Sequence, residues 1–187
     1  MNYNSISVNE VKVSKLLTKP YTEEEERLNI KLYGRIMRDL ITDEGLLNEI
    51  DDTFDEVVST LLVSLDIIDI KIDQKDTVRT IASHIAGLTF KYLYSNFYFD
   101  IRPDELMKKL QLVYESKNKD YNNSAERQLD LDGIQSFKMR IQDKISRLNS
   151  FNNNREMCVT EEKVTDTLAD LFNYCLIFLI WYEKNCS

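Results

Sequence analysis

The segment "VTEEKVTDTLADLFNYCLIFLIWY", Val159–Tyr182, constrains this chain more than any other. Its first half carries Glu162, Asp166 and Asp170 one helical turn apart. Its second half is almost wholly apolar. At about 100° per residue, Asp166 lies roughly 40° from Glu162, Asp170 roughly 80° and Asn173 roughly 20°, so all four share one helical face. Val164, Leu168, Leu171, Cys175 and Tyr182 fall on the opposite side. An amphipathic helix with solvated acids explains the first half. From Leu171 onward the helix is apolar nearly all round, and the acidic stripe continues into Ile177 and Ile180. A helix of that kind belongs inside a bundle, with its acids at the mouth of a buried groove. Like charges one turn apart cost about 0.2–0.5 kcal/mol per pair. A solvated face tolerates that cost, and a bound divalent cation with oxygen ligands, Mg²⁺ or Mn²⁺, offsets it. Spacing alone leaves both readings open.

The remaining chain reads as more helices. Its 187 residues contain 4 glycines and 2 prolines, too few for a turn-rich β fold, and 43% are hydrophobic, enough for a core. Residues 1–21 are a polar arm with weak alternation. Thr22 before Glu23–Glu26 is an N-cap with an acidic first turn, followed at helical spacing by Leu28, Leu32, Ile36 and Leu40. Further helices are predicted at about 51–65 and 76–98. The stretch 66–73 is ambiguous between helix end and strand. Pro103 in "RPDE" opens a new helix that frays near Asn118–Ser124. Another helix is predicted from about Gly133 to Phe151, and the last begins near Thr160. The expectation is an all-α helical bundle with a helical N-terminal region at 22–101, a second helical unit at 102–187, and a boundary near Asp100–Pro103.

A net charge of −8 argues against general nucleic-acid binding, which draws its affinity from neutralised phosphates. It leaves room for a few local cations to hold one phosphate group. Cys158, Cys175 and Cys186 have no metal-ligand spacing and read as free thiols. "MNYNSISVNE" is not a secretion signal, and the most apolar run, Tyr174–Tyr182, is about half a membrane span. The expectation is a cytoplasmic protein with no membrane partner. His84, the single histidine, sits among Ile81, Ile85 and Leu88 and reads as structural, so no histidine-based nucleophile relay is available. Trp181 and the aromatic run Phe90–Asp100 read as core or subunit interface, with a homo-oligomer expected.

Two other stretches carry charged groups. In "QDKISRL", Asp143 and Arg147 have the spacing of a surface pair. Alternatively, Asp143 adds a metal ligand while Lys144 and Arg147 hold phosphate oxygens. "KNKDYNNS" sets Lys117, Lys119, Asp120 and Tyr121 beside a loop suited to a sugar or base, or is simply a helix end with Asn-rich turns.

In order and spacing, "KNKDYNNS", "DKISRL" and "EEKVTDTLADLFNY" resemble the first nucleotide-modification-associated domain family of phages and bacteria, a relative of the MazG-like all-α nucleotide pyrophosphohydrolases. Lys117 or Lys119, Asp120 and Tyr121 match its first element. Asp143, Lys144 and Arg147 match the second, and Glu162, Asp166, Thr167, Asp170, Asn173 and Tyr174 the third. The resemblance covers roughly 103–185. Asn122 stands where the family has glycine, and no Glu-Glu-x-x-Glu element is present; Glu115 is the acid placed to substitute. The resemblance implies metal-dependent cleavage of a nucleoside triphosphate or related nucleotide. Glu162, Asp166, Asp143 and Glu115 would then be metal ligands, and Asp170 a ligand or water-orienting base. Lys144 and Arg147 would neutralise phosphate charge, and Asn173 would read a base edge. The alternatives are a non-catalytic nucleotide-binding module and an acidic helical protein that blocks a host partner of a phage.

Overall fold

The computed structural model describes residues 20–42, 52–153 and 161–186, with the side chains of residues 41, 42, 161 and 162 left aside. Seven helices make up this part: α1 Glu23–Thr42, α2 Phe54–Ile70, α3 Lys75–Phe97, α4 Pro103–Asp120, α5 Ser124–Asp132, α6 Ile134–Asn153 and α7 Glu161–Cys186. No strand occurs among the described residues, and the protein is all-α. Residues 1–19 of the predicted polar arm and residues 154–160, including Cys158, lie outside the described residues.

Local chemistry sets the helix ends. The Thr22 hydroxyl accepts from the Glu25 amide at 3.2 Å while the Glu25 carboxylate accepts from the Thr22 amide at 2.9 Å. Thr53 and Glu56 form the same reciprocal box at the start of α2, which satisfies amides that have no partner within the helix. That exposed carboxyl is held below its usual range by the Thr53 backbone amide. Pro103 occupies the first turn of α4, where its missing N–H costs nothing. The ambiguous 66–73 stretch resolves as the last turn of α2, running to Ile70, and a tight turn.

The sequence reading missed α5. It placed turns up to Ser124 and the next helix at Gly133, whereas Ser124–Asp132 is helical. Asn122 and Asn123 make the break before it, with φ of 52° and 54°. Asparagine is among the few non-glycine residues that adopt this left-handed conformation readily. Asn122 therefore does what glycine would do at that position. Gly133, φ 60°, makes the break between α5 and α6.

α7 is the hub. It packs against α3, α6, α1, α5 and α4, while α2 lies across α6 and α3. Leu171, Phe172 and Cys175–Tyr182 are all buried, as the all-round apolar pattern predicted. Phe178 stacks on Phe137 of α6 at 4.3 Å, and Phe172 packs against Phe90 of α3 at 5.9 Å. Burying each such ring contributes about 1.5–3 kcal/mol. Trp181 is in the core, its indole N–H donating to Asp130 at 2.9 Å. One continuous core draws on both the N-terminal helices and α4–α7. By length and composition, Lys163–Cys186 could cross a membrane, but 67% of its most apolar stretch is buried inside the bundle, as the central helix of a bundle must be.

Other expectations fall on the surface or in the core. Of the aromatic run, Phe90 and Tyr92 are buried and Phe99 is exposed. His84 is exposed beside a shallow groove lined by Val63, Ile67 and Ile81. Cys175 is buried and free, its thiol pushed up by burial; Cys186 is also free.

Candidate functional site

Three helices contribute matching faces to a cleft of about 340 Å³. α4 supplies Tyr114, Lys117 and Asn118, with Tyr121 just past its end. α6 supplies Arg140 and Lys144, one turn apart. α7 supplies Asp170, Asn173, Tyr174 and Ile177. The steps of three, four and seven residues put each set on one side of its helix. Ser124 and Ala125, the first turn of α5, complete the wall.

Asp170 organises the charges. Its carboxylate accepts the Lys117 ammonium from α4 and, at 3.2 Å, the Lys144 ammonium from α6. The carboxylate is 20% exposed and the Lys144 side chain 11%, whereas Lys117 is half exposed at the rim. Arg140 lies over the Tyr174 ring at 5.4 Å, and the Lys144 ammonium approaches the same ring at 5.9 Å. An aromatic face attracts cations, so Tyr174 keeps both side chains over the cleft. Three cations thus line a cleft that holds one carboxylate, a positive focus in a chain of net charge −8. Walls of low polarisability strengthen such a field.

The back wall is held by α1, although that helix lies outside the stretches that carried the family resemblance. The buried Tyr33 hydroxyl donates to the Asn173 Oδ1 at 2.7 Å, and its ring stacks on Tyr114 at 4.4 Å. Burial disfavours the charged form and pushes the pKa of both phenols above the usual value. With its oxygen occupied, Asn173 turns its NH₂ toward the Leu110 carbonyl at 3.5 Å. Asn118 is 6% exposed. Its Nδ2 lies by the Tyr114 hydroxyl, whose ionisation it eases, but closes no hydrogen bond there or elsewhere. A buried N–H without an acceptor is costly, which makes this the cleft's most conspicuous polar group.

The sequence-predicted residues divide into four groups. Lys117, Tyr121, Lys144, Asp170 and Asn173 come together in the cleft. Lys119 and Asp120 are exposed and do not line it. Asp143 and Arg147 pair with each other at 3.5 Å outside it, and Asp143 also reaches Lys144 at 3.5 Å. Of the expected metal ligands, Glu115 accepts from Gln111 at 2.7 Å, Asp166 is exposed, and the Glu162 side chain is not among those described. Among the described residues no three His, Cys, Asp or Glu side chains group as a metal site.

Arg140, Asn118 and the α5 turn were missed, yet the first two left a signal. Arg140 sits one turn before Lys144, continuing its cationic stripe. Asn118 extends the buried series Leu106, Leu110, Tyr114 at the next inward position, and a polar residue at a core position is itself a flag.

The fold and the cleft define an all-α protein with a cation-lined pocket at the junction of α4, α5, α6 and α7. The family model of nucleotide modification associated domain 1 matches residues 117–181 of the chain. Every residue lining the cleft except Tyr114 falls within that match. Neither the curated proteins nor the solved structures give a match.

Proposed function

We propose that this protein binds a nucleotide in the cleft between α4, α6 and α7. The observation that supports the reading is the convergence of Lys117 and Lys144 on Asp170, with Arg140 alongside, inside the segment matched by a nucleotide-associated family. Lysine and arginine donors in a semi-enclosed cleft suit phosphate oxygens. In the free protein Asp170 takes the place of that anion and keeps the two ammoniums gathered. Tyr121, 67% exposed at the rim, offers a face on which a base can stack. Ile177 gives an apolar floor.

Cleavage of the bound nucleotide is the second reading. It is favoured by the acids that α7 carries just before Asp170, Asp166 and Glu162, and Mg²⁺ commonly enters such sites through one or two carboxylates together with substrate phosphates. One experiment addresses both readings. A panel of nucleoside mono-, di- and triphosphates is scored by melting temperature for binding and by mass spectrometry, with and without Mg²⁺, for turnover. Binding predicts that nucleotides raise the melting temperature and the matching nucleosides raise it less. Cleavage predicts Mg²⁺-dependent products that disappear in Asp166→Asn while binding persists. A panel with no stabilising nucleotide would remove the proposal.

A further inference from the structure

Lys117, Arg140 and Lys144 against Asp170 leave the cleft with two uncompensated positive charges. Asp143, which also reaches Lys144, is itself offset by Arg147 outside the cleft. Two further features point to what fills this space. The first turn of α5 opens onto it through Ser124 and Ala125, and the residue at its cap, Asn123, makes no capping bond. The Ser124 amide is taken by the Tyr121 carbonyl at 3.0 Å, but the Ala125 and Glu126 amides have no carbonyl one turn earlier to bond, and such amides favour anions. Glu126, the acid in that turn, is directed elsewhere, to Asn29, Asn123 and Lys184. Independently, the Asn118 Nδ2 is buried in the same cleft with no acceptor.

We infer that the cleft selects a terminal phosphate monoester, as in a nucleoside monophosphate, seated between the α5 first turn, the Asn118 amide and the Lys117–Lys144 pair. This rests on the nucleotide-binding reading above and narrows it. A phosphate monoester carries close to two negative charges at neutral pH, which matches the surplus. A phosphodiester carries one charge and leaves part of the surplus unmet. A triphosphate brings more charge than the cleft neutralises. Free oxygens on the terminal group also let one phosphate take donors from the amide, the helix turn and the lysines together.

Calorimetric titration of the full chain tests this, using each common nucleoside free, as its 5′-monophosphate, as its 3′,5′-cyclic diester and as its triphosphate. The monophosphate of the preferred base is expected to bind at least about tenfold more tightly than the cyclic diester, and no more weakly than the triphosphate. Asn118→Asp, nearly the same shape with the donor replaced by an anion, is expected to weaken the monophosphate about tenfold or more and to affect the nucleoside far less. In the unaltered protein, the amide resonances of Ala125 and Glu126 are expected to be among those the monophosphate shifts most, a readout independent of how the variant folds. Tighter binding of the diester or the triphosphate, a monophosphate affinity indifferent to Asn118→Asp, or unmoved α5 amides would overturn the inference while leaving nucleotide binding intact. No binding of any nucleotide would overturn both.

Discussion

Two carboxylates in this bundle receive lysine ammoniums and are used in opposite ways. Glu126 is buried, and it accepts from Asn29 of α1 at 2.7 Å, from Asn123 at 2.7 Å and from Lys184 of α7. Lys184 also donates to the Asn29 Oδ1 at 3.0 Å. Asp170 likewise draws two other helices to α7, but it faces open space and is outnumbered by cations. The first arrangement uses its charges to join three helices. The second leaves cationic charge uncompensated at an open cleft. Saturation of the carboxylate, more than burial alone, separates a structural node from a site.

Substitutions put that contrast to the test. Glu126→Ala leaves a lysine and two amides without their acceptor, and is expected to cost about 3 kcal/mol in urea unfolding, at the low end for a broken buried pair because Lys184 retains some access to water. A cost no larger than that of Asp170→Asn would erase the distinction. Tyr33→Phe removes a buried bond to Asn173 without changing shape and is expected to cost about 1–2 kcal/mol. It should also flatten the alkaline limb of the stability profile. Burial raises the Tyr33 phenol above its ordinary value of 10.0. Its contribution is therefore complete below pH 10 and is lost as pH climbs toward the folded-state value. A variant whose urea midpoint falls across pH 10 as steeply as that of the parent would contradict this assignment.

The smaller effects lie at the rim and in the cleft. Asn122→Ala places an ordinary side chain in the left-handed region and removes the acceptor of the Tyr21 amide, a bond of 2.6 Å. Its expected cost is about 1–2 kcal/mol. An unchanged melting temperature would show that the turn before α5 is not under the constraint described. Asp170→Asn is expected to cost less than about 1 kcal/mol, since its lysines can turn to water or to Asp143. A larger loss in thermal unfolding would make Asp170 a structural node like Glu126.

Much of this architecture could be read in the sequence, for reasons visible in single residues. The all-round apolar run from Leu171 placed α7 at the centre, because a helix with no polar face must be enclosed. Thr22 and Pro103 marked helix starts because unpaired amides and a missing N–H have local remedies. Five cleft residues, Lys117, Tyr121, Lys144, Asp170 and Asn173, were found because they recur at one-turn spacing or sit in the family's motifs. What escaped was tertiary. That Tyr33 backs Asn173 is a contact across 140 positions of chain, and no local period encodes it. α5 escaped because paired asparagines read as a loop, when in fact they make a sharp break between two helices. The four-residue spacing that pairs Asp143 with Arg147 was visible; its position outside the cleft was not.

If Lys144 holds a nucleotide's phosphate, its removal must weaken nucleotide binding. A nucleotide that stabilises the protein is titrated into the unaltered chain and into Lys144→Gln, with melting temperature as the control for folding. At least about tenfold weaker binding is expected in the variant, the loss of one charge-assisted bond, at an almost unchanged melting temperature. Equal affinity in the two proteins would contradict it.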